Sequence, residues 1–419
     1  MRWPHTFVSR RTALLVMLGA AACRPAFEVP AAAAPDGPVP SDPVFTAIST
    51  DGASAQGRLR AISADGAVTL VKADGAEVVL PLDRLFKLTR EGFTPSLAPE
   101  ASVVLFPEGD RLFRAPIVAS NDVSVEVQSY SLANLSVPLE SILGVVFAVP
   151  RPPETLEELV QRVRTEPRTS EVLWLANHDK LAVGFQSLGD KFIDYLSAGK
   201  TERIERARVS AIGFDPSLVS YPRPENGFLE LTFSDGSRLG VREPRVEKGQ
   251  VVGVTRFGAP VKVPFSELTK IHARTSSVVY LSERTPRGDR YVPYVGPPRS
   301  FRRDLTVEGQ TLKLAGQEYD RGIGTQSRTL LAFPLEPGDR RFQATVGVDD
   351  RAGPLGNVVF RVLVDKREAY VSQPLTSGGP PKAVDVDVTG GGVVILVTEF
   401  GERGGVRDIA DWVEARIIR

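Results

Sequence analysis

The chain has 419 residues, in which 51 lysines and arginines balance 51 aspartates and glutamates. Without net charge the protein has no field that attracts a polyanion, so nucleic acid and anionic membrane surfaces are excluded as expected partners. The length suits two to four domains, and a hydrophobic content of 42% is sufficient for buried cores.

Residues 1–34 have the pattern of a signal peptide. Arg2, Arg10 and Arg11 precede the apolar stretch Ala13–Ala22, and small residues follow it. This stretch is too short to anchor a protein in a bilayer, and no later one approaches the roughly 20 apolar residues of a transmembrane helix. We therefore expect an exported protein, either periplasmic, in the cell envelope or secreted, without a transmembrane span in the mature chain.

Two features of this segment leave alternatives open. The Ser9–Thr12 segment is typical of a twin-arginine export signal, although an ordinary charged region before the apolar stretch gives the same pattern. Cys23, the single cysteine, lies where a bacterial lipoprotein is cleaved and acylated, but Ala20 replaces the usual leucine. The alternative is cleavage near Ala31–Ala34. One cysteine provides no disulfide framework, so stability must come from buried cores.

A Pro- and Ala-rich linker at 35–43 precedes a region of repeated β units. Each unit opens with an alternating strand and a polar turn, and closes with an apolar hook. The openings are Gly57–Leu59, Gly109–Leu112, Asn177–Leu181 and Asp235–Leu239, and the closings are Val79–Leu85, Val137–Ile142, Ile204–Ile212 and Val263–Leu268. Because such short strands need partners, we expect the copies to pair into two small β modules, 44–149 and 171–275.

A helix is predicted within the connecting segment 150–170. Two prolines precede it, acidic residues occupy its first turn, and Leu156, Leu159, Val160 and Val163 fall on one face. The sequence thus predicts an all-β protein, apart from this short helix.

The remaining domain, 276–419, begins with a connector over Val278–Asp304 and continues with alternating apolar and polar residues that predict at least five strands. These segments are Thr329–Phe333, Phe342–Val346, Val358–Val364, Ala383–Val388 and Val393–Thr398. Clusters of glycine and proline separate them, so a two-sheet sandwich is expected.

Four phrases in this domain carry a family resemblance: Tyr319–Ser327, Phe342–Asp350, Val359–Asp365 and Asp408–Ile417. Their order resembles the NPCBM family of carbohydrate-binding modules. The resemblance implies a galactose-binding-like β-sandwich, or jelly roll, that binds glycan. The chain departs from the family at two positions, because Gln326 and Ile409 stand where histidine is frequent. Losing both histidines weakens the implied sugar site but leaves the implied fold intact.

Acidic residues at strand ends are the candidate carbohydrate- or calcium-binding groups, because carboxylates accept hydrogen bonds from vicinal hydroxyls and coordinate calcium. They are Asp349, Asp350, Glu399, Asp408 and Asp411. The alternative is that such residues cap turns and tie loops by accepting from backbone amides. Trp412 is the candidate for stacking on a sugar, and a place in the core is its alternative.

The sequence offers little catalytic chemistry. Only His178 and His272 lie beyond the signal peptide, and neither is near a nucleophile motif. No glycine-rich phosphate loop is present. We therefore predict a non-catalytic exported protein that binds glycan. The alternatives are a structural or adhesion protein whose sandwich contacts protein partners and, more remotely, a glycosidase with paired carboxylates in the repeat region.

Overall fold

The computed structural model describes residues 42–93, 102–121, 123–132, 134–147, 155–189, 191–294 and 300–419. The signal-peptide and Cys23 predictions, and most of the predicted linker, lie outside these residues. Within the described ranges, no helix has the length and hydropathy that a membrane span requires.

Short strands dominate the chain. The strands before residue 150 are β1 (Val44–Ser49), β2 (Ser54–Ile62), β3 (Val68–Val71), β4 (Glu77–Leu80), β5 (Leu85–Arg90), β6 (Val103–Leu105), β7 (Arg111–Phe113), β8 (Ile117–Ser120), β9 (Ser124–Gln128), β10 (Asn134–Pro138) and β11 (Gly144–Val146). The next strands are β12 (Glu171–Leu175), β13 (Lys180–Leu188), β14 (Phe192–Ser197), β15 (Lys200–Glu205), β16 (Val209–Gly213), β17 (Phe228–Phe233), β18 (Arg238–Glu247), β19 (Gln250–Thr255), β20 (Pro260–Pro264) and β21 (Leu268–Arg274).

The C-terminal strands are β22 (Val278–Tyr280), β23 (Gly288–Tyr291), β24 (Arg302–Arg303), β25 (Leu312–Leu314), β26 (Gln317–Tyr319), β27 (Gly322–Gln326), β28 (Thr329–Pro334), β29 (Arg341–Val348), β30 (Asn357–Val364), β31 (Arg367–Val371), β32 (Leu375–Thr376), β33 (Lys382–Asp387), β34 (Val393–Phe400) and β35 (Ile409–Ile418). The α-helix is α1 (Leu156–Thr165), and single 3-10 turns occupy Pro107–Gly109, Leu139–Ser141, Arg206–Arg208, Pro216–Leu218, Phe265–Glu267, Leu281–Glu283 and Asp350–Leu355.

Each of the four sequence units folds around its first strand. In the first unit β1 pairs with both β2 and β5, and β12 and β17 pair in the same way with the second and last strands of their units. The second strand bends at a bulge, so its other half pairs with the third strand. In the second unit two separate strands replace this bent strand: β7 pairs with β6, and β8 pairs with β9.

The units join through their closing strands, and the partners are not neighbours in sequence. Strand β5 of the first unit pairs with β21 of the fourth, with Leu88 opposite Ile271. Strand β11 of the second unit pairs with β16 of the third, with Val145 opposite Ile212. Segments 44–149 and 171–275 therefore pair with each other and share one apolar core. We call these two segments together the β region. The domain boundaries expected from the sequence stay a prediction.

The predicted helix is present as α1, and it begins with a capping box. The Thr155 hydroxyl accepts from the Glu158 amide at 3.2 Å, and the Glu158 carboxylate accepts from the Thr155 amide at 2.8 Å. Leu159, Val160 and Val163 are buried together with residues of β6, β11 and β16. The predicted apolar face is thus the one that packs on the β region.

The C-terminal domain is a sandwich of two antiparallel sheets, as the alternation predicted. One sheet has the order β24-β27-β35-β29-β33, with β22 paired to β35, and the other has the order β23-β28-β34-β30-β31, with β32 paired to β30. Phe333, Phe342, Phe360 and Trp412 fill the core between them. In the phrase Tyr319–Ser327, Gly324 is required because a Cβ atom there would lie 2.2 Å from the Leu305 carbonyl oxygen.

The sandwich and the β region meet at a cluster of buried charges. Arg321 Nη2 donates to Glu230 Oε2 at 2.8 Å, and both side chains are more than 90% buried. Asp320 Oδ1 lies 3.3 Å from Arg238 Nη1. We call Glu230, Arg238, Asp320 and Arg321 the interface ion cluster. It fixes the sandwich on the β region, because separating them would expose or unpair these charges.

Candidate functional site

Asp349 is fully buried and ties two loops of the sandwich together. Its Oδ1 accepts from the Arg351 amide and its Oδ2 from the Lys313 amide, each at 2.9 Å. The neighbouring Asp350 accepts from the amides of Ala315 and Gly316, at 2.9 and 2.8 Å. These bonds occupy carboxylate positions that a sugar would need, so the geometry favours the loop-tying alternative for both residues.

Asp411 lies in the sandwich beside Asp349. It is fully buried, and burial, the charge of Asp349 and a hydrogen bond to Asp349 raise its pKa well above the ordinary value. Because two adjacent buried carboxylates repel each other, Asp411 holds its proton more strongly than an exposed aspartate does. Such a pair stabilises the interior and presents no carboxylate to solvent.

Asp408 anchors the loop that precedes the last strand. Its Oδ2 accepts from the Ser327 hydroxyl, and its Oδ1 accepts from the Asn357 amide at 2.9 Å. The residue is completely buried, and burial raises the pKa of its carboxyl group. The structural alternative is again the one that the geometry favours.

Trp412 lies in the core of the sandwich. Its side chain is fully buried, its Nε1 donates to Thr398 Oγ1 at 3.0 Å, and its ring meets the Phe360 ring edge to face at 5.1 Å. Neither face of the indole is available to a sugar. Of the two interpretations of Trp412, the core residue is therefore the one that the structure favours.

Glu399 is the acidic candidate that remains near the surface without accepting from a neighbouring loop. Its side chain is 24% exposed, and its Oε2 lies 3.2 Å from Arg328 Nε, which belongs to a half-exposed side chain. Arg328 follows β27, and its carbonyl oxygen accepts from the Val292 amide at 2.9 Å. The end of β34, the turn after β27 and the connector are thus brought together.

An exposed aromatic residue packs on Phe400, which follows Glu399 at the end of β34. The Tyr294 ring is 67% exposed and packs edge to face on the Phe400 ring, with centroids 5.6 Å apart. Gly405 permits this contact, since a Cβ atom there would lie 3.0 Å from Tyr294 and 3.3 Å from Phe400. Tyr294 lies in the predicted connector and was not among the predicted site residues; the available signal was a tyrosine just before the Val-Gly-Pro-Pro segment.

We call this area the Glu399 surface and define it by Tyr294, Gln326, Arg328, Glu399 and Phe400. Gln326 Oε1 is buried and has no hydrogen-bond partner among the described residues. Glu399 and Phe400 are consecutive in β34, so their side chains leave opposite faces of that strand. The residues of this surface include an exposed aromatic ring, a carboxylate and a guanidinium group. These are groups that stack on the C–H face of a pyranose and hydrogen-bond its hydroxyls.

The described residues contain no group of three or more His, Cys, Asp or Glu side chains arranged to hold a metal ion. Calcium binding therefore stays a prediction from the sequence.

The sequence model of the NPCBM/NEW2 domain matches residues 277–418, which span the whole sandwich and its connector. This match confirms the predicted resemblance to the NPCBM family for the C-terminal region of the chain.

Two curated relatives match a part of this chain. A protein that carries the name of an endo-alpha-N-acetylgalactosaminidase, from Renibacterium salmoninarum, is 24% identical over 159 residues, which are 35% of this chain and 10% of that protein. Alpha-1,3-galactosidase B of Akkermansia muciniphila is 27% identical over 117 residues, 27% of this chain and 15% of that enzyme. The matches thus span a small fraction of these relatives.

Solved structures that match a part of this chain include two sets of CBM51 modules. The CBM51 of a Clostridium perfringens protein, solved with methyl-galactose, is 26% identical, with 33% of this chain and 99% of that chain covered and a TM-score of 0.31. The tandem CBM51 modules of a family 98 glycoside hydrolase from Streptococcus pneumoniae are 14% identical, with 59% and 87% covered and a TM-score of 0.30.

Proposed function

We propose that this chain is an exported, non-catalytic glycan-binding protein that acts at or outside the cell envelope. The observation that carries the proposal is the match of the NPCBM/NEW2 domain to residues 277–418. The pattern of residues 1–34 supports export. Attachment through an acylated Cys23 remains the alternative to release as a soluble protein.

The Glu399 surface is the proposed sugar contact. Tyr294 supplies the stacking face, and Arg328 and Glu399 supply a donor and an acceptor held in an ion pair at 3.2 Å. Because the pair has no net charge, it suits the hydroxyls of a neutral sugar better than an anionic group. The names of the similar proteins mention galactose and its N-acetylated and methyl derivatives. These sugars are the first ligands to test.

Binding of the purified full chain to a glycan array tests the function, and calorimetry with methyl galactoside and N-acetylgalactosamine tests the site. We expect Tyr294→Ala to weaken binding about fivefold, since stacking on an aromatic side chain contributes on the order of 1 kcal/mol. Tyr130→Ala is the matched control, because Tyr130 is 68% exposed and lies in the β region. Equal losses in both variants contradict the assignment of the site.

The same preparation tests the non-catalytic part of the proposal. We expect no release of product from nitrophenyl galactosides or N-acetylgalactosaminides, because glycoside hydrolysis requires two carboxyl groups and the Glu399 surface contains one. Release that persists in Tyr294→Ala would instead indicate a glycosidase. Binding to matrix proteins in the absence of any glycan signal would favour the adhesion alternative.

A further inference from the structure

A cleft of about 390 Å³ opens between the β region and the sandwich. Thr46 and Glu91 line it from the β region, and Gln343, Thr345, Ala383 and Asp385 line it from β29 and β33. Its volume lies in the range of small-molecule sites, which form preferentially where two domains meet. Neither the sandwich nor the β region alone has both walls.

The floor of this cleft is rigid. Arg416 lies over the Phe86 ring, with 3.6 Å between the guanidinium carbon and the ring centroid, and its Nη2 donates to Gln343 Oε1 at 2.9 Å. Lys87 Nζ pairs with Glu414 Oε1 at 2.5 Å. Contacts from both regions thus hold the polar groups of the floor in place before any ligand arrives, which lowers the entropy cost of binding.

One donor of the floor is left without a partner. Arg416 is 92% buried, and its Nε has no hydrogen-bond acceptor among the described residues. This nitrogen is itself buried, so a sugar hydroxyl reaches it and gains a charge-assisted hydrogen bond only if the Arg416 side chain shifts toward the cleft. The same side chain forms part of the cleft lining.

The lining indicates a neutral ligand with many hydroxyl groups. Lys87 and Arg416 are opposed by Glu91, Asp385 and Glu414, so two positive charges meet three negative ones. This balance repels anionic groups slightly and offers both donors and acceptors at short range. Three threonine hydroxyls and two glutamine amides add neutral partners.

We propose that the cleft is a second sugar subsite, which binds one neutral pyranose of a glycan whose other end contacts the Glu399 surface or a second chain. This inference rests on the proposed glycan-binding function and extends it. It gives the β region a role in recognition, since that region supplies one wall of the subsite. Two weak sites on one chain bind a polymeric glycan more tightly than either site alone.

Calorimetry of the full chain with methyl galactoside, N-acetylgalactosamine and methyl glucoside tests the subsite. Ala383 is exposed on β33 and faces the cleft, so Ala383→Trp fills it. Ala182, exposed on β13 outside the cleft, provides the control Ala182→Trp. We expect two binding sites per chain in the wild type and in Ala182→Trp, and one site in Ala383→Trp. Thr345→Val, which removes a single hydroxyl, should weaken the same site several-fold.

The outcomes separate the two proposals. If Tyr294→Ala abolishes all binding while Ala383→Trp and Thr345→Val bind as the wild type does, the cleft is not a sugar site and the proposed function stands. If the wild type binds no sugar, both proposals fail. A melting temperature of Ala383→Trp equal to that of the wild type shows that the two regions stay docked. If it falls, the Thr345→Val result decides.

Discussion

The interface ion cluster and the interior of the sandwich both bury carboxyl groups, but they hold them in opposite protonation states. Burial alone would raise the pKa of Glu230, yet the charges of Arg321 and Arg238 outweigh it and lower that pKa below its ordinary value. Asp411 has no such cation in contact, so burial and the charge of Asp349 raise its pKa. The partner within a few ångströms, and not the degree of burial, decides the charge of a buried acid.

This difference has a functional meaning. The interface ion cluster keeps full charges in place and so fixes two parts of the chain on each other. The Asp349 and Asp411 pair, together with Asp408, keeps loops closed without presenting charge to a ligand. Residues that match a family motif can thus belong to either kind of cluster, and the variants below distinguish them.

The largest effect is expected from Arg321→Ala. This change removes the guanidinium group that lies 2.8 Å from Glu230 Oε2 and 2.9 Å from Glu283 Oε1. Breaking a buried ion pair in this way costs about 3–5 kcal/mol of stability. Urea denaturation measures the change. Arg245→Ala is the control, because its pair with Glu247 is more than half exposed and should contribute about 0–1 kcal/mol. Equal small losses would contradict a structural role for the cluster.

A double variant sharpens this result. Glu230→Gln combined with Arg321→Met removes both charges, so less destabilisation is expected than the sum of the single changes. Simple additivity would indicate that the two side chains do not interact in solution.

The next effect concerns the pH dependence of stability. His272 lies near Glu230, with 3.7 Å between Nδ1 and Oε1, and also near Lys87, Lys270 and Glu414. Burial lowers its pKa to about 4, against the attraction of Glu230 and Glu414. His272 binds a proton more readily in the unfolded chain than in the folded protein. Its neutral form therefore contributes to the free energy of unfolding above the unfolded pKa, and this contribution is lost as the pH falls through the folded pKa.

We therefore expect His272→Gln to flatten the decline in stability between pH 6.5 and pH 4, where the wild type loses up to about 3 kcal/mol through this group. Thermal unfolding at a series of pH values measures it. His178→Gln, at an exposed turn of the β region, is the control. Parallel curves for wild type and His272→Gln would contradict the low folded pKa.

Two isosteric changes distinguish the roles of Asp349 and Asp411 in the sandwich. Asp349→Asn turns one acceptor into a donor facing an amide, so it should cost about 1–3 kcal/mol. Asp411 can donate a hydrogen bond only when its carboxyl group is protonated, whereas the amide of Asp411→Asn donates at any pH. The free energy of unfolding of Asp411→Asn at pH 7 should therefore be equal to that of the wild type or higher.

The pH profile checks this assignment. Since the folded pKa of Asp411 is raised, its contribution is complete below the unfolded value and is lost as the pH rises through the folded pKa. The wild type should therefore lose stability with rising pH where Asp411→Asn does not. The opposite order of the two variants would place the proton on Asp349.

The last effect, from Trp412→Phe, is expected on stability alone. It removes the hydrogen bond from Nε1 to Thr398 Oγ1, and the expected cost is about 1 kcal/mol, with glycan affinity unchanged. Thermal melting and calorimetry on one preparation measure both quantities. A fall in affinity without a fall in stability would restore Trp412 as a sugar contact.

The fold was largely predictable because its signals are local. Alternation at Phe342–Val346 and Val358–Val364 follows from strands with one face in a core, and the helix face of Leu159, Val160 and Val163 follows from 3.6-residue periodicity. The pairing between repeats was not predictable, because it joins strands that lie far apart in the sequence. Nothing near Leu88 indicates that its partner is Ile271, 183 residues away.

The candidate site was only partly predictable. The sequence marked Glu399, but it could not tell this residue from Asp411, because both follow strand-like segments and both suit a carbohydrate site. Burial separates them, and burial depends on what packs from elsewhere in the chain. Tyr294 became a candidate only once its ring was seen on Phe400.

The sequence by itself determined that this is an all-β chain whose last third resembles a carbohydrate-binding module, since strand periodicity, glycine positions and motif order are properties of neighbouring residues. Tertiary structure alone decided which acids are charged, which aromatic residue is exposed, and that the sandwich and the β region enclose a cleft. Those properties depend on distances between residues far apart in the chain, as in the contact of Arg321 with Glu230, and short-range patterns carry no information about them.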